Sequence, residues 1–258
     1  MKYDIIIAGV GGQGILSVAF VLDNACVAKG VHFKQAEVHG MSQRGGAVQS
    51  HLRMSEAPIL SDLIPRGKVD MILAVEPLEV NRYLPYLASG GRILSNSDPV
   101  ENIPNYPDIE KVHDHLLALP GVLLLDAKAV ARVAGNQRAQ NMVLTGAASS
   151  FIPFFTAVEL EAHIHALFAK KGEKILDLNI RAFRMGRELG ILSGALTARG
   201  IDAKTVFALT SKLQPDTVSG DHAAGWAEAL AVEGAASRLA ALETPIPSGP
   251  EGYPTLLG

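Results

Sequence analysis

Asp4-Ile5-Ile6-Ile7-Ala8-Gly9-Val10-Gly11-Gly12-Gln13-Gly14-Ile15-Leu16 is the stretch on which the fold turns. An apolar run stops at a glycine-rich bend, and Ile15, Leu16, Ala19, Val21 and Leu22 follow at helical spacing. That pattern predicts a buried strand, a tight turn and a helix with an exposed start. Glycine lets the chain turn sharply and lets a ligand approach, because no Cβ stands in the way. The unpaired amides of the helix start then suit an anion. A second glycine-bearing stretch, Glu37-Val38-His39-Gly40-Met41-Ser42-Gln43-Arg44-Gly45-Gly46, is expected to fold back over the same place.

Working outward, the first helix is expected over Gly12–Lys29, with Gly30 as a left-handed terminator. Val31–Val38 and Ala47–Met54 read as strands. The few residues between them, His39 to Gly46, are too short for a parallel crossover, so the two strands should be antiparallel. Asp70–Val75, Arg92–Asn96 and Val122–Asp126 read as further strands, with helices over Leu78–Leu87, Val112–Leu119 and Ala127–Ala134. Gly90-Gly91 is expected to end the helix before it, and Pro99, Pro104 and Pro107 to mark a loop. Alternating strands and helices predict an α/β fold: an open, mostly parallel but mixed sheet covered on both faces.

Later segments read as helical: Asn141–Ser150, Thr156–Lys171, Glu173–Leu192, Thr205–Leu213 and Ala223–Leu242. The expected organisation is one domain over residues 1–192, then a helical extension and proline-rich tail over 193–258. The extension reads either as an arm that packs on a partner or as a tether.

Composition narrows the function. A chain of 258 residues with 48% hydrophobic content is no disordered tail. A net charge of -3 and 5% aromatics argue against nucleic acid or an anionic membrane as partner. A single cysteine, Cys26, makes no internal disulfide and cannot hold an iron–sulfur cluster, which takes about four thiolates. No basic-then-apolar leader precedes the first strand and no apolar run nears the ~20 residues of a membrane span, so a cytoplasmic location is expected.

Gly9-x-Gly11-x-x-Gly14 fits the dinucleotide fingerprint in letter and context. The acid that would hold a ribose could only be Glu37, slightly late in the chain. Three readings stand together: a nicotinamide or flavin site in a stand-alone oxidoreductase, a turn used only for packing in an interaction module, and a loop facing a phosphate or cofactor of another kind. In the second loop, Arg44 suits a bidentate contact with carboxylate or phosphate. Ser42 and Gln43 offer neutral hydrogen bonds beside it. No His, Cys and Asp grouping has metal-ligand spacing, and no Walker phosphate loop or serine nucleophile turn is present.

The pair Gly9-Val10-Gly11-Gly12-Gln13-Gly14-Ile15 and Glu37–Gly46, with its His-Gly-Met-Ser-Gln-Arg-Gly-Gly core, resembles the gamma-type domain of the 2-oxoacid:ferredoxin oxidoreductases, and most of all the indolepyruvate type. The resemblance covers about residues 1–190. It implies a complex that decarboxylates a 2-oxoacid on thiamine diphosphate and Mg, passes electrons through iron–sulfur clusters to ferredoxin, and hands the acyl group to coenzyme A. It implies that those cofactors sit on a larger partner subunit and that this chain, inactive alone, completes the active centre and coenzyme A access. By matching motif positions it assigns catalytic support to Arg44, Gln43 and Ser42 and ligand contact to Gly11, Gly12, Gln13, Gly14 and Gly45.

Overall fold

A computed structural model describes residues 1–39, 45–101, 103–212 and residue 230. Its strands are β1 (Lys2–Val10), β2 (His32–His39), β3 (Ala47–Ser55), β4 (Val69–Ala74), β5 (Leu87–Asn96) and β6 (Val122–Leu125). They form one sheet in the order β2-β3-β1-β4-β5-β6. β1, β4, β5 and β6 run parallel, while β3 runs antiparallel to both β1 and β2. The expected mixed sheet is present, and so is the antiparallel relation of β2 and β3.

Helix α1 (Ile15–Lys29) follows β1, and Gly30 closes it in the left-handed region at φ 69°. The helix starts three residues later than its pattern suggested, because Gly12 to Gly14 stay in the turn. After β4 the chain makes two 3-10 turns around a single α-helical turn, α2 (Val80–Tyr83). Gly90 and Gly91 do not end that segment; they lie inside β5. Helices α3 (Ile109–Leu117), α4 (Ala127–Ala134), α5 (Gln140–Ser149), α6 (Ala157–Phe168), α7 (Glu173–Ala198) and α8 (Ala203–Lys212) complete the described chain. α7 runs through the position where residues 192 and 193 were divided. The helix expected over Ala223–Leu242 and the proline-rich tail lie outside the described residues, apart from Leu230, which is helical and buried.

Alternation along β1 sets the layers. Ile5 and Ile7 face one core with α1, α4, α5, α6 and α7; Ile6 and Ala8 face a second with α3 and the Pro77–Tyr86 turns. Leu230 adds to the first core. α8 contributes Val206 and Leu209 to one core and Phe207 to the other, so it covers the β6 edge. Local signals start the helices: Asp126 accepts from the Ala129 amide ahead of α4, and Thr156 with Glu159 forms a reciprocal cap on α6. α5 and α7 cross closely, because a Cβ on Gly146 would fall 1.9 Å from the Phe183 carbonyl oxygen and one on Gly186 2.0 Å from that of Val143.

This topology positions the candidate site. The pairs run from Lys2 opposite Ser55 to Val10 opposite Ala47, so β3 begins where β1 ends. Both glycine stretches therefore border the carboxyl edge of the parallel strands, where ligands of open α/β sheets bind.

Candidate functional site

The two stretches are joined by main-chain bonds. The Gly11 amide donates to the Gly46 carbonyl at 2.8 Å, and the Gly45 amide donates to the Gly11 carbonyl at 3.3 Å. Gly45 has φ 77°, Gly12 φ 101° and Gly14 φ 73°, values that favour glycine. A Cβ on Gly12 would meet nothing within 4 Å, so its surface is open to a ligand. No side chain caps α1, and in its first turn the Ser17 amide donates back to the Gly14 carbonyl at 2.9 Å. Ser42, Gln43 and Arg44 lie outside the described residues.

Gln13 has a different use from the one expected. Its carboxamide accepts from the Val10 amide at 2.7 Å and donates to the Val75 carbonyl at 3.3 Å. It ties the turn to the end of β4, so that the turn offers main chain to a ligand.

Asn141, at the start of α5, had no role in the sequence reading. Its amide group donates to the carbonyls of Gln13 at 2.7 Å and Gly14 at 2.9 Å, and approaches Ser17 Oγ at 3.3 Å. It is 7% exposed, and its own Oδ1 has no partner among the described residues. Nothing local marks it, because its partners lie more than a hundred residues away in sequence.

Three hollows meet at these loops. A cleft of about 580 Å³ is lined by Gly12, Gly14, Asn141, Arg138, Phe168 and Lys171, among others. A second of about 580 Å³ lies between Gly45, Gly46 and the Glu76–Arg82 segment. A third of about 320 Å³ is bounded by Val10, Gly11, Gly12, Gly14, Leu16 and Val48. In the second, Glu76 is buried and accepts from the Glu79 amide at 3.0 Å and from the Tyr106 hydroxyl; burial pushes its carboxyl up. Arg82 Nε donates to Glu79 Oε2 at 3.0 Å.

Cys26 is buried, and burial, then the charge of Asp23, pushes its thiol up to about 12, far from a thiolate. Among the described residues no three His, Cys, Asp or Glu side chains are grouped to hold a metal ion. No helix among them is long and apolar enough to cross a membrane.

The dinucleotide reading meets a topological obstacle. Glu37 sits on β2, and β3 intervenes between β2 and β1. The carboxylate is therefore two strand spacings, about 10 Å, from the glycine strand. In the dinucleotide fold the acid ends the strand beside it.

Residues 4–189 match the family described as pyruvate ferredoxin/flavodoxin oxidoreductase. The chain belongs to that family. It is 34% identical over 193 residues to the indolepyruvate oxidoreductase subunit IorB of Methanothermobacter thermautotrophicus, covering 72% of this chain and 96% of that one. It is 36% identical to IorB of Thermococcus kodakarensis, covering 72% and 94%. Its fold is similar to part of the 2-oxoglutarate:ferredoxin oxidoreductase of Magnetococcus marinus, solved with 2-oxoglutarate, coenzyme A and succinyl-CoA bound. There the TM-score is 0.59 at 22% identity, over 73% of this chain and 31% of that one. A stand-alone nicotinamide or flavin enzyme is not favoured by these relatives, which are oxidoreductase subunits.

Proposed function

We propose that this chain is the subunit without clusters of a thiamine-diphosphate-dependent 2-oxoacid:ferredoxin oxidoreductase acting on indolepyruvate or another aryl-pyruvate. The observation that carries the reading is the likeness, at 34% and 36% identity, to indolepyruvate oxidoreductase subunits over nearly their whole length. Thiamine diphosphate, Mg and the iron–sulfur clusters belong to a larger partner subunit. With one buried, un-ionised thiol, this chain has no cluster ligands to offer.

The chain's own contribution is a main-chain surface. Gly12 offers open space, with Gly14 beside it, to the coenzyme A or 2-oxoacid that the complex delivers; Gly11 and Gly45 line the same surface while their amides join the two stretches, and Gln13 braces the turn. Ser42, Gln43 and Arg44 supply the polar and cationic contacts, with Arg44 meeting a phosphate or the substrate carboxylate. Residues 1–192 carry this role, and 193–258 form an extension to it. The complex operates in the cytoplasm and passes its electrons to ferredoxin.

The test is reconstitution with the cluster-bearing subunit. Indolepyruvate- and coenzyme A-dependent reduction of ferredoxin should require both chains. Turnover by this chain alone would overturn the division of labour.

A further inference from the structure

The joined glycine stretches border two clefts of about 580 Å³ each, and the charges of the two differ. Beside Gly45 and Gly46 lie Glu76 and Glu79 with Arg82, whose guanidinium already serves Glu79 at 3.0 Å. Beside Gly12 and Gly14 lie Arg138 and Lys171, with no carboxylate in the lining. Both cations are exposed, and neither makes an ion pair among the described residues. They are held without being neutralised. Asn136 Oδ1 accepts from the Arg138 amide at 3.0 Å and fixes the turn that carries it. Lys171 Nζ lies 5.0 Å from the centre of the Phe168 ring. Leu167, Phe168, Ile175 and Leu178 give this cleft an apolar wall.

We propose that the cleft between the glycine turn and α7 binds the phosphates of a nucleotide-type ligand, with Arg138 and Lys171 as the residues that hold them. Guanidinium and ammonium both suit phosphate, the first as a fork and the second as a point charge. Two cations without a carboxylate suit a ligand with several negative charges better than a 2-oxoacid, which brings one carboxylate. A bare ribose calls for an acid beside it and a phosphorylated ribose for a cation, and the charged groups here are cations alone. The open surface at Gly12, where a Cβ would meet nothing within 4 Å, lets such a ligand approach the main chain. The apolar wall takes a base or another uncharged part, and the volume lies within the roughly 300–1,000 Å³ of small-molecule sites. Two sources share this chemistry. One is coenzyme A, for which the inference rests on the functional reading above. The other is a free adenine nucleotide acting as an effector.

The full-length chain is titrated by calorimetry with coenzyme A, with ADP, and with pantetheine, which carries no phosphate. Wild type is compared with Arg138→Glu/Lys171→Glu and with Lys170→Glu/Lys174→Glu, an equal charge change at exposed positions outside the cleft lining. Coenzyme A or ADP should bind, and the cleft variant should lose about tenfold in affinity, the scale of two exposed ion pairs, at unchanged melting temperature. The control should lose less than about twofold, since it makes no direct contact. Should the charge reversal melt early, Arg138→Gln/Lys171→Gln replaces it and should lose about fivefold. The assembled complex tells the sources apart. A raised KM for coenzyme A in the cleft variant assigns the cleft to coenzyme A; ADP that binds without competing against coenzyme A assigns it to an effector. The inference is overturned if the cleft variant binds both ligands as wild type does, if the control loses as much, or if the wild-type chain binds neither ligand and the cleft variant keeps its KM for coenzyme A. A rise in the KM for the 2-oxoacid alone overturns it too, and the functional reading stands in each case. Failure of the two subunits to reconstitute turnover sinks the functional reading instead, and titration of the single chain still decides the cleft.

Discussion

Asn141 and Gln13, separated by 128 positions in sequence, are joined at 2.7 Å from side-chain amide to main-chain carbonyl. The same amide group holds the Gly14 carbonyl, so one buried side chain fixes the turn from which α1 departs. Asn141→Ala would leave two carbonyls without their donor. An unmet buried polar group costs roughly 1–3 kcal/mol. Urea unfolding should show a loss of that size, and activity of the assembled complex should fall with it. An unchanged midpoint would mean that water replaces the amide.

The α5–α7 crossing gives the clearest sign reversal. Gly→Ala within an exposed helix stabilises by about 1 kcal/mol through propensity. Gly186→Ala does the opposite, because its methyl would fall 2.0 Å from the main-chain oxygen of Val143, which cannot move alone. A destabilisation beyond ~3 kcal/mol or loss of folded protein is expected. Gly194→Ala, whose nearest contact is the Phe151 ring at 3.0 Å, should be far milder.

His51 makes stability depend on pH. It is buried, and its Nδ1 accepts from the Ile64 amide at 3.1 Å, which requires a neutral ring. Burial, then the charge of Arg53, lowers its pKa. The unfolded imidazole takes its proton near pH 6.5, the folded one only at lower pH. The contribution is thus complete above about 6.5 and is lost as pH falls from there toward the folded value. Chemical denaturation between pH 8 and pH 5 should show the decline. It should shrink in a His51→Phe variant, which cannot titrate.

Arg44→Ala tests the proposed site. One charge-assisted contact is worth roughly 1.5–3 kcal/mol. The assembled complex should lose about tenfold to a hundredfold in kcat/KM for coenzyme A or for the 2-oxoacid, and the affected substrate identifies the one Arg44 meets. Full activity would reduce the second loop to a connection.

Sequence carried most of the sheet, because its strands are apolar runs punctuated by glycine, proline or a cap, as at Gly30 and Asp126. It failed where punctuation had another purpose. Gly90-Gly91 looked like a helix end, but a Cβ on Gly91 would meet the Val69 carbonyl oxygen at 2.8 Å, a demand set by the neighbouring strand. The helix expected to stop at Leu192 runs on to Ala198, because Leu192 and Leu196 are both buried and carry α7 onward. The meeting of the glycine stretches was legible through the short β2–β3 connection. Asn141 and the inward use of Gln13 were not, since each depends on what lies opposite in three dimensions.

β3 descends beside an ascending β1, and the β2–β3 ribbon joins the rest of the sheet along that seam. A molecule gripping both Gly12 and Gly45 would act as a clasp across the top of it. Occupancy would then register as slower hydrogen exchange at amides along the seam, well below the point of contact, giving a binding signal that needs no turnover.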